Sequence, residues 1–122
     1  MPGVGSLNAL VIDGSDTFAL ARFWAELFET AIESVENEGH YIDLAATDRM
    51  CRLRFQRVPE GKVVKNRLHL DIEVDDIEAA VSRVLGLGGS HLRTTLAEYG
   101  WDYAVVADPE ANEFCLIHRS GT

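Results

Sequence analysis

Residues 67–76 read Arg67-Leu68-His69-Leu70-Asp71-Ile72-Glu73-Val74-Asp75-Asp76. Leu68, Leu70, Ile72 and Val74 alternate with Arg67, His69, Asp71 and Glu73, so an extended backbone sends four aliphatic side chains to one face and four polar ones to the other. The spacing predicts a strand over 67–74 with one wet face. Asp75-Asp76 then supplies a helix cap, and Ile77, Ala80, Val81, Val84 and Leu85 recur at helical spacing before Gly86-Leu87-Gly88-Gly89 stops the helix. Three further strands are expected over 90–96, 102–107 and 113–118, the last two joined by Asp108-Pro109-Glu110-Ala111-Asn112, a turn-forming run.

The same order precedes this stretch. An apolar strand over 7–13 leads to Gly14-Ser15-Asp16, where Ser15 or Asp16 can cap a helix whose Leu20, Phe23, Trp24, Leu27 and Phe28 lie on one face. Strands are expected over 31–38, 40–46 and 50–58, with turns at Glu38-Gly39 and Thr47-Asp48. Pro59, Glu60, Gly61 and Lys62 form a turn-prone linker close to the midpoint. The cap acids Asp16 and Asp76 are sixty residues apart, as an internal duplication requires. The reading is one α+β domain of two βαβββ modules, about 6–58 and 67–118, with a linker at 59–66.

Composition narrows the functional classes. At 122 residues, 47% apolar and 25% charged, the chain can build a core without metal or disulfide support. A formal net charge of -9 repels a phosphate backbone and argues against nucleic acid as partner. Seven of the eleven bases nevertheless fall between Arg49 and Arg67, against the single acid Glu60; they are expected to pair with acidic neighbours. No apolar run approaches the roughly 20 residues of a membrane span, and the start has no signal-peptide pattern. Cys51 and Cys115 each sit in an apolar strand-like run, which suits buried reduced thiols and a cytoplasmic setting.

The apolar first strand, the Ser-Asp and Asp-Asp caps, the Phe23-Trp24 pair, the 69–76 run and the Asp-Pro-x-x-Asn turn, taken in order, resemble the vicinal-oxygen-chelate superfamily and its glyoxalase and bleomycin-resistance group. The resemblance covers nearly the whole chain. It implies a cupped, mostly antiparallel sheet with helices on the outside, a ligand inside the cup, and commonly a homodimer. In the metalloenzymes of the group it also implies His and Glu ligands on the first and fourth strands of each half. Counted from the cap acids, those positions fall here on Ala9 and His69, on Arg54 or Gln56, and on Cys115. Alanine offers a metal nothing and arginine repels it, so no cofactor is expected, with a divalent metal as the alternative.

Strand parity places the candidate ligand-binding residues Arg54, Gln56, His69, Asp71, Glu113 and Cys115 on polar faces. His69 beside Asp71 reads as a ligand contact or general base, or as a hydrogen-bonded pocket histidine. Cys115 shares its face with Glu113 and Ile117 and is expected to be an inert buried thiol rather than a nucleophile. Arg54 can grip a carboxylate or phosphate on a ligand, or pair internally with Asp71, Glu73 or Glu113. Trp101 and Tyr103 read as an aromatic lip or as packing against a loop. The leading function is binding of a small organic molecule without the usual metal site. The alternatives are a metal-dependent lyase or dioxygenase, a metal-free enzyme with His69 as base, and a non-catalytic assembly subunit.

Overall fold

Asp16 and Asp76 start the two helices in the same way. In the computed structural model, which describes residues 3–120, the Asp16 carboxylate accepts from the Ala19 N–H and the Asp76 carboxylate from the Ala79 N–H, each at 3.1 Å. One otherwise unpaired helix N–H is thereby satisfied at each end. Helix α1 runs Thr17–Leu27 and α2 runs Ile77–Gly86. Residues 1–61 and 62–122 form two compact units, divided inside the expected linker.

The first unit holds β1 (Leu10–Gly14), β2 (Ile32–Glu36), β3 (Tyr41–Leu44) and β4 (Leu53–Arg57) in the sheet order β1-β4-β3-β2. The second holds β5 (Asp71–Glu73), β6 (Ser90–Glu98), β7 (Trp101–Ala107) and β8 (Glu113–Arg119) in the order β5-β8-β7-β6. In both, the first strand pairs parallel with the fourth and the remaining pairs are antiparallel. A parallel pair needs a long crossover, and the helix supplies its first part. The α+β class and both strand-helix-three-strand runs match the sequence pattern.

Each helix packs on one face of its own sheet. In the first unit Leu20, Phe23 and Trp24 are buried with Ile42, Leu44, Leu53 and Phe55. Phe23 and Trp24 meet edge to face at 5.5 Å between centroids, and Phe28 stacks on Trp24 at 6.0 Å. Such pairs add about 0.5–1.5 kcal/mol beyond burial. In the second unit Val84 is buried with Ala104, Val106, Phe114 and Leu116. Leu85, expected on the buried face of α2, is half exposed; it falls at the margin of the apolar stripe.

Several strands are shorter than their alternation suggests, β5 most of all. Alternation records which way side chains point, but a strand also needs a partner. The Leu70 carbonyl accepts from the Cys115 N–H and the Val74 N–H donates to the Ile117 carbonyl, both at 2.8 Å, which extends pairing one residue past each end. Two residues earlier the Glu113 N–H donates instead to the Asn66 side-chain oxygen at 3.0 Å. That ends the ladder, and Leu68 is left 72% exposed. Strand β1 likewise starts at Leu10 rather than residue 7, and Leu7 is exposed.

The turn before β8 is organised by Asp108, whose Oδ1 accepts from the Glu110 and Asn112 N–H groups at 2.9 and 3.0 Å. Its Oδ2 accepts from the Asn112 side-chain amide at 3.0 Å. Ala111 takes φ +69°, a left-handed conformation held by this hydrogen-bond set. We expect Phe55→Ala and Phe114→Ala each to cost about 3–5 kcal/mol in denaturant unfolding. Val63→Ala, at an exposed position, should change stability by less than about 1 kcal/mol.

Candidate functional site

The face of the second sheet turned away from α2 is read from its register. Asp71 pairs with Cys115, Cys115 with Val105 and Val105 with Arg93, giving one row across four strands. The next row is Glu73, Ile117, Tyr103 and Thr95. His69, two residues before Asp71 and of the same parity, lies just ahead of β5 rather than within it. Its Nδ1 is 3.5 Å from Asp71 Oδ1, and both side chains are about half exposed. Ligand atoms of His69, Asp71 and Cys115 all lie within 4.8 Å of one another. Glu113, two residues before Cys115, is half buried, with Lys62 Nζ 3.9 Å from its carboxylate.

Cys115 is half buried rather than fully enclosed. Burial pushes its thiol above the ordinary range, Asp71 and Glu113 push the same way, and Arg93 opposes them. The thiol form is thereby favoured, which agrees with an unreactive cysteine in the free protein. Cys51 corrects the sequence reading: it lies ahead of β4, not inside a strand, and is exposed. It borders a small apolar recess with Phe28, Leu44, Met50 and Leu53, whose volume of about 10 Å³ holds at most one water.

The first unit carries the corresponding row with different chemistry. Val11 pairs with Arg54 and Arg54 with Asp43. Val11 therefore stands where the second unit has Asp71, and Arg54 where it has Cys115. Of the two residues offered by sequence spacing, the register selects Arg54; Gln56 lies one row on, between Asp13 and Tyr41. Arg54 donates from Nε to Asp43 Oδ1 at 2.7 Å and from Nη2 to Oδ2 at 3.0 Å. The internal partner is thus Asp43, not the expected Asp71, Glu73 or Glu113. The sequence signal was available, since Asp43 interrupts the apolar run Tyr41-Ile42-Asp43-Leu44.

Neighbouring bases also have partners, while the buried Nε of Arg52 is left without one. Arg52 meets Glu33 at 2.9 Å and Asp43 at 4.0 Å, and Arg57 donates to the Glu38 carbonyl. With Arg54 and Lys62, much of the basic stretch is matched inside its own unit. Trp101 carries the Arg119 guanidinium over its ring at 4.4 Å, so the face of this aromatic is in use. Of the remaining histidines, His91 Nε2 is 2.8 Å from Thr94 Oγ1 and His118 Nδ1 is 2.9 Å from the Val74 carbonyl.

A divalent ion held by both modules does not fit the first unit. Ala9 and Val11 have no ligand atom, and the arginine between Val11 and Asp43 is cationic. The second unit offers nitrogen, oxygen and sulfur donors within reach of one ion. Among the described residues no helix is long and apolar enough to cross a membrane.

The Arg54 hydrogen bonds hold the Asp43 carboxyl below its ordinary value near 3.8. Its stabilisation is therefore complete above that value and lost as pH falls through the lower folded one. Asp43→Asn should lower the unfolding midpoint at neutral pH and flatten the acid limb of stability against pH. Alkylation of Cys115 near neutral pH should be about tenfold or more slower than that of exposed Cys51, as peptide mass mapping over time would show.

The glyoxalase-like domain family model matches residues 9–117. No curated protein matches significantly. Solved structures do: a glyoxalase/bleomycin resistance protein/dioxygenase family enzyme from Burkholderia phytofirmans PsJN has a TM-score of 0.77 at 18% identity, over 94% of this chain and 99% of that one. A glyoxalase-related enzyme from Fulvimarina pelagi has 0.74 at 18%, over 95% and 89%. The fosfomycin resistance protein FosX from Mesorhizobium loti has 0.73 at 14%, over 98% and 96%. At these identities the solved structures speak for the fold, whereas the family model spans most of the sequence. The chain belongs to the glyoxalase-like domain family, within the vicinal-oxygen-chelate superfamily.

Proposed function

We propose that this glyoxalase-like protein binds a small organic molecule on the polar sheet face of its second unit, without a metal site shared between its modules. The observation that carries the reading is the exchange of chemistry between equivalent rows. Asp71 and Cys115 face outward with Arg93, whereas Val11 and Arg54 are occupied by an aliphatic group and an internal ion pair. Binding needs shape and a few placed polar groups, and Asp71, Cys115, Tyr103 and Thr95 supply acceptors and donors on a sheet rather than a loop. One similar structure is named a fosfomycin resistance protein, and fosfomycin is a small polar organic molecule. Gln56 and Arg54 serve the first unit's own face in this reading, and Arg54 keeps N–H groups beyond the two given to Asp43.

The reading includes a cytoplasmic homodimer. Its support is the pair of edge strands β2 and β6, which expose Ile32, Val35, Leu92 and Leu96, apolar groups that a second chain would cover.

A second reading has its own observation. With Asp71 Oδ1 3.5 Å from its Nδ1, His69 has a carboxylate to orient the imidazole, and its other nitrogen can take a proton from a bound substrate.

Thermal-shift screening with small polar organic compounds tests the binding reading. A stabilising compound should lose about tenfold in affinity with Asp71→Ala and little with Cys51→Ser. If every second-unit variant binds as well as the parent, the site lies elsewhere. On a substrate that is turned over, His69→Ala should lower kcat about a hundredfold or more; an unchanged kcat rules the base out.

A further inference from the structure

We propose that β6 is the edge on which two copies of this chain pair, antiparallel about a twofold axis through Thr94, each extending the polar face of the other's second unit. The pairing rests on the homodimer proposed above and fixes its surface. β6 ends its sheet, and at nine residues it is long for an edge, which proteins usually keep short because its free N–H and C=O groups invite another strand. Apolar surface around it is left uncovered. Helix α1 buries six residues, whereas α2 fully buries Val84 alone. Leu85 of α2 and Leu92 and Leu96 of β6 are 50%, 45% and 71% exposed, and α2 packs against β6.

The strand is complementary to itself, so the occupant is a second copy. With Thr94 opposite its own counterpart, Arg93 stands opposite Thr95, Leu92 opposite Leu96, His91 opposite Ala97 and Ser90 opposite Glu98. Leucine meets leucine, and no charge directly faces a like charge. β6 departs from its β7 register between His91 and Arg93 and again between Thr95 and Glu98. These bulges flank the regular stretch 93–95, whose centre is Thr94, so the bent strand matches its copy. Charge selects β6 over the other outer edge. At a net charge of -9, two copies repel unless their contact is poor in acids. Residues 90–97 contain none, whereas the five-residue β2 carries Glu33 and Glu36 with Glu38 just after it.

Opposite residues of an antiparallel pair project on the same side. Arg93 and Thr95 pair with Val105 and Tyr103, on the face turned away from α2. The row Asp71, Cys115, Val105, Arg93 therefore continues into the second copy's Thr95 and Tyr103. A molecule held by Arg93 then touches both chains. The two Arg93 side chains lie diagonally across the axis, at roughly 7–8 Å, on the open side where water and salt screen their repulsion.

The test is oxidation of Thr94→Cys by oxidised glutathione in a Cys51→Ser background, without ligand. Directly opposed residues have Cα atoms about 4.5–5.5 Å apart, inside the range a disulfide spans. Nonreducing electrophoresis should show a crosslinked dimer that the Cys51→Ser parent does not form, and Val35→Cys on β2 in the same background should stay uncrosslinked. Leu96→Lys, at a position exposed in the single chain, should raise the dimer Kd about tenfold or more in sedimentation equilibrium, with circular dichroism unchanged. A dimer that does not crosslink through Thr94→Cys, that crosslinks as readily through Val35→Cys, or that keeps its Kd in Leu96→Lys overturns pairing through β6 and leaves the homodimer standing. A chain that sediments as a monomer at every concentration overturns both.

Discussion

The parallel pairing of the first strand with the fourth is the constraint on which each unit rests. Two parallel neighbours cannot be joined by a tight turn, so the chain must leave the sheet and return. In both units the excursion begins with a helix that lies on one face and buries the aliphatic and aromatic residues of that parity. The opposite face is then left for polar residues from the beginning and the end of the module. Asp71 and Cys115 are forty-four positions apart, yet this pairing makes them neighbours.

The same constraint acting twice has given different results. In the second unit the row opposite the helix presents an acid and a thiol. In the first it presents a valine and an arginine whose charge is answered by Asp43, with Arg52 and Glu33 extending the network. A bidentate pair between β3 and β4 joins strands that are already hydrogen bonded, so its groups are held at low conformational cost. Family membership and function separate at this point: the backbone preserves the module, and the side chains on its polar face differ from one half to the other.

Much of this order was legible in the sequence because it follows from periods and caps. The spacing of Leu20, Phe23 and Trp24 located the buried face of α1, and Asp16 and Asp76 located both helix starts. Proximity of His69 to Asp71 followed from strand parity alone. What sequence could not supply was partnership across strands. The period-two pattern from Arg67 to Leu70 continues past the point where Asn66 takes the next ladder donor, so the strand was read too long. Asp43 stands out as the polar interruption of Tyr41-Ile42-Asp43-Leu44, but its pairing with Arg54 depends on the β3–β4 register, which spacing along the chain does not give. The apolar run that suggests burial of Cys51 belongs to β4, which starts at Leu53, and Cys51 precedes it and is exposed. Arg93 went unnoticed because its relation to Cys115 runs through Val105, two ladders away.

The ion pair between Arg54 and Asp43 also separates the two units thermodynamically. A sheet face that carries its own counter-ion has its electrostatic stabilisation built into the chain, and solutes add little to it. A face whose acid and thiol point outward would gain stability from a ligand only by mass action, in proportion to the logarithm of that ligand's concentration. On the proposed reading, solutes leave the first unit's stability unchanged, and a bound molecule would raise the second unit's resistance to unfolding.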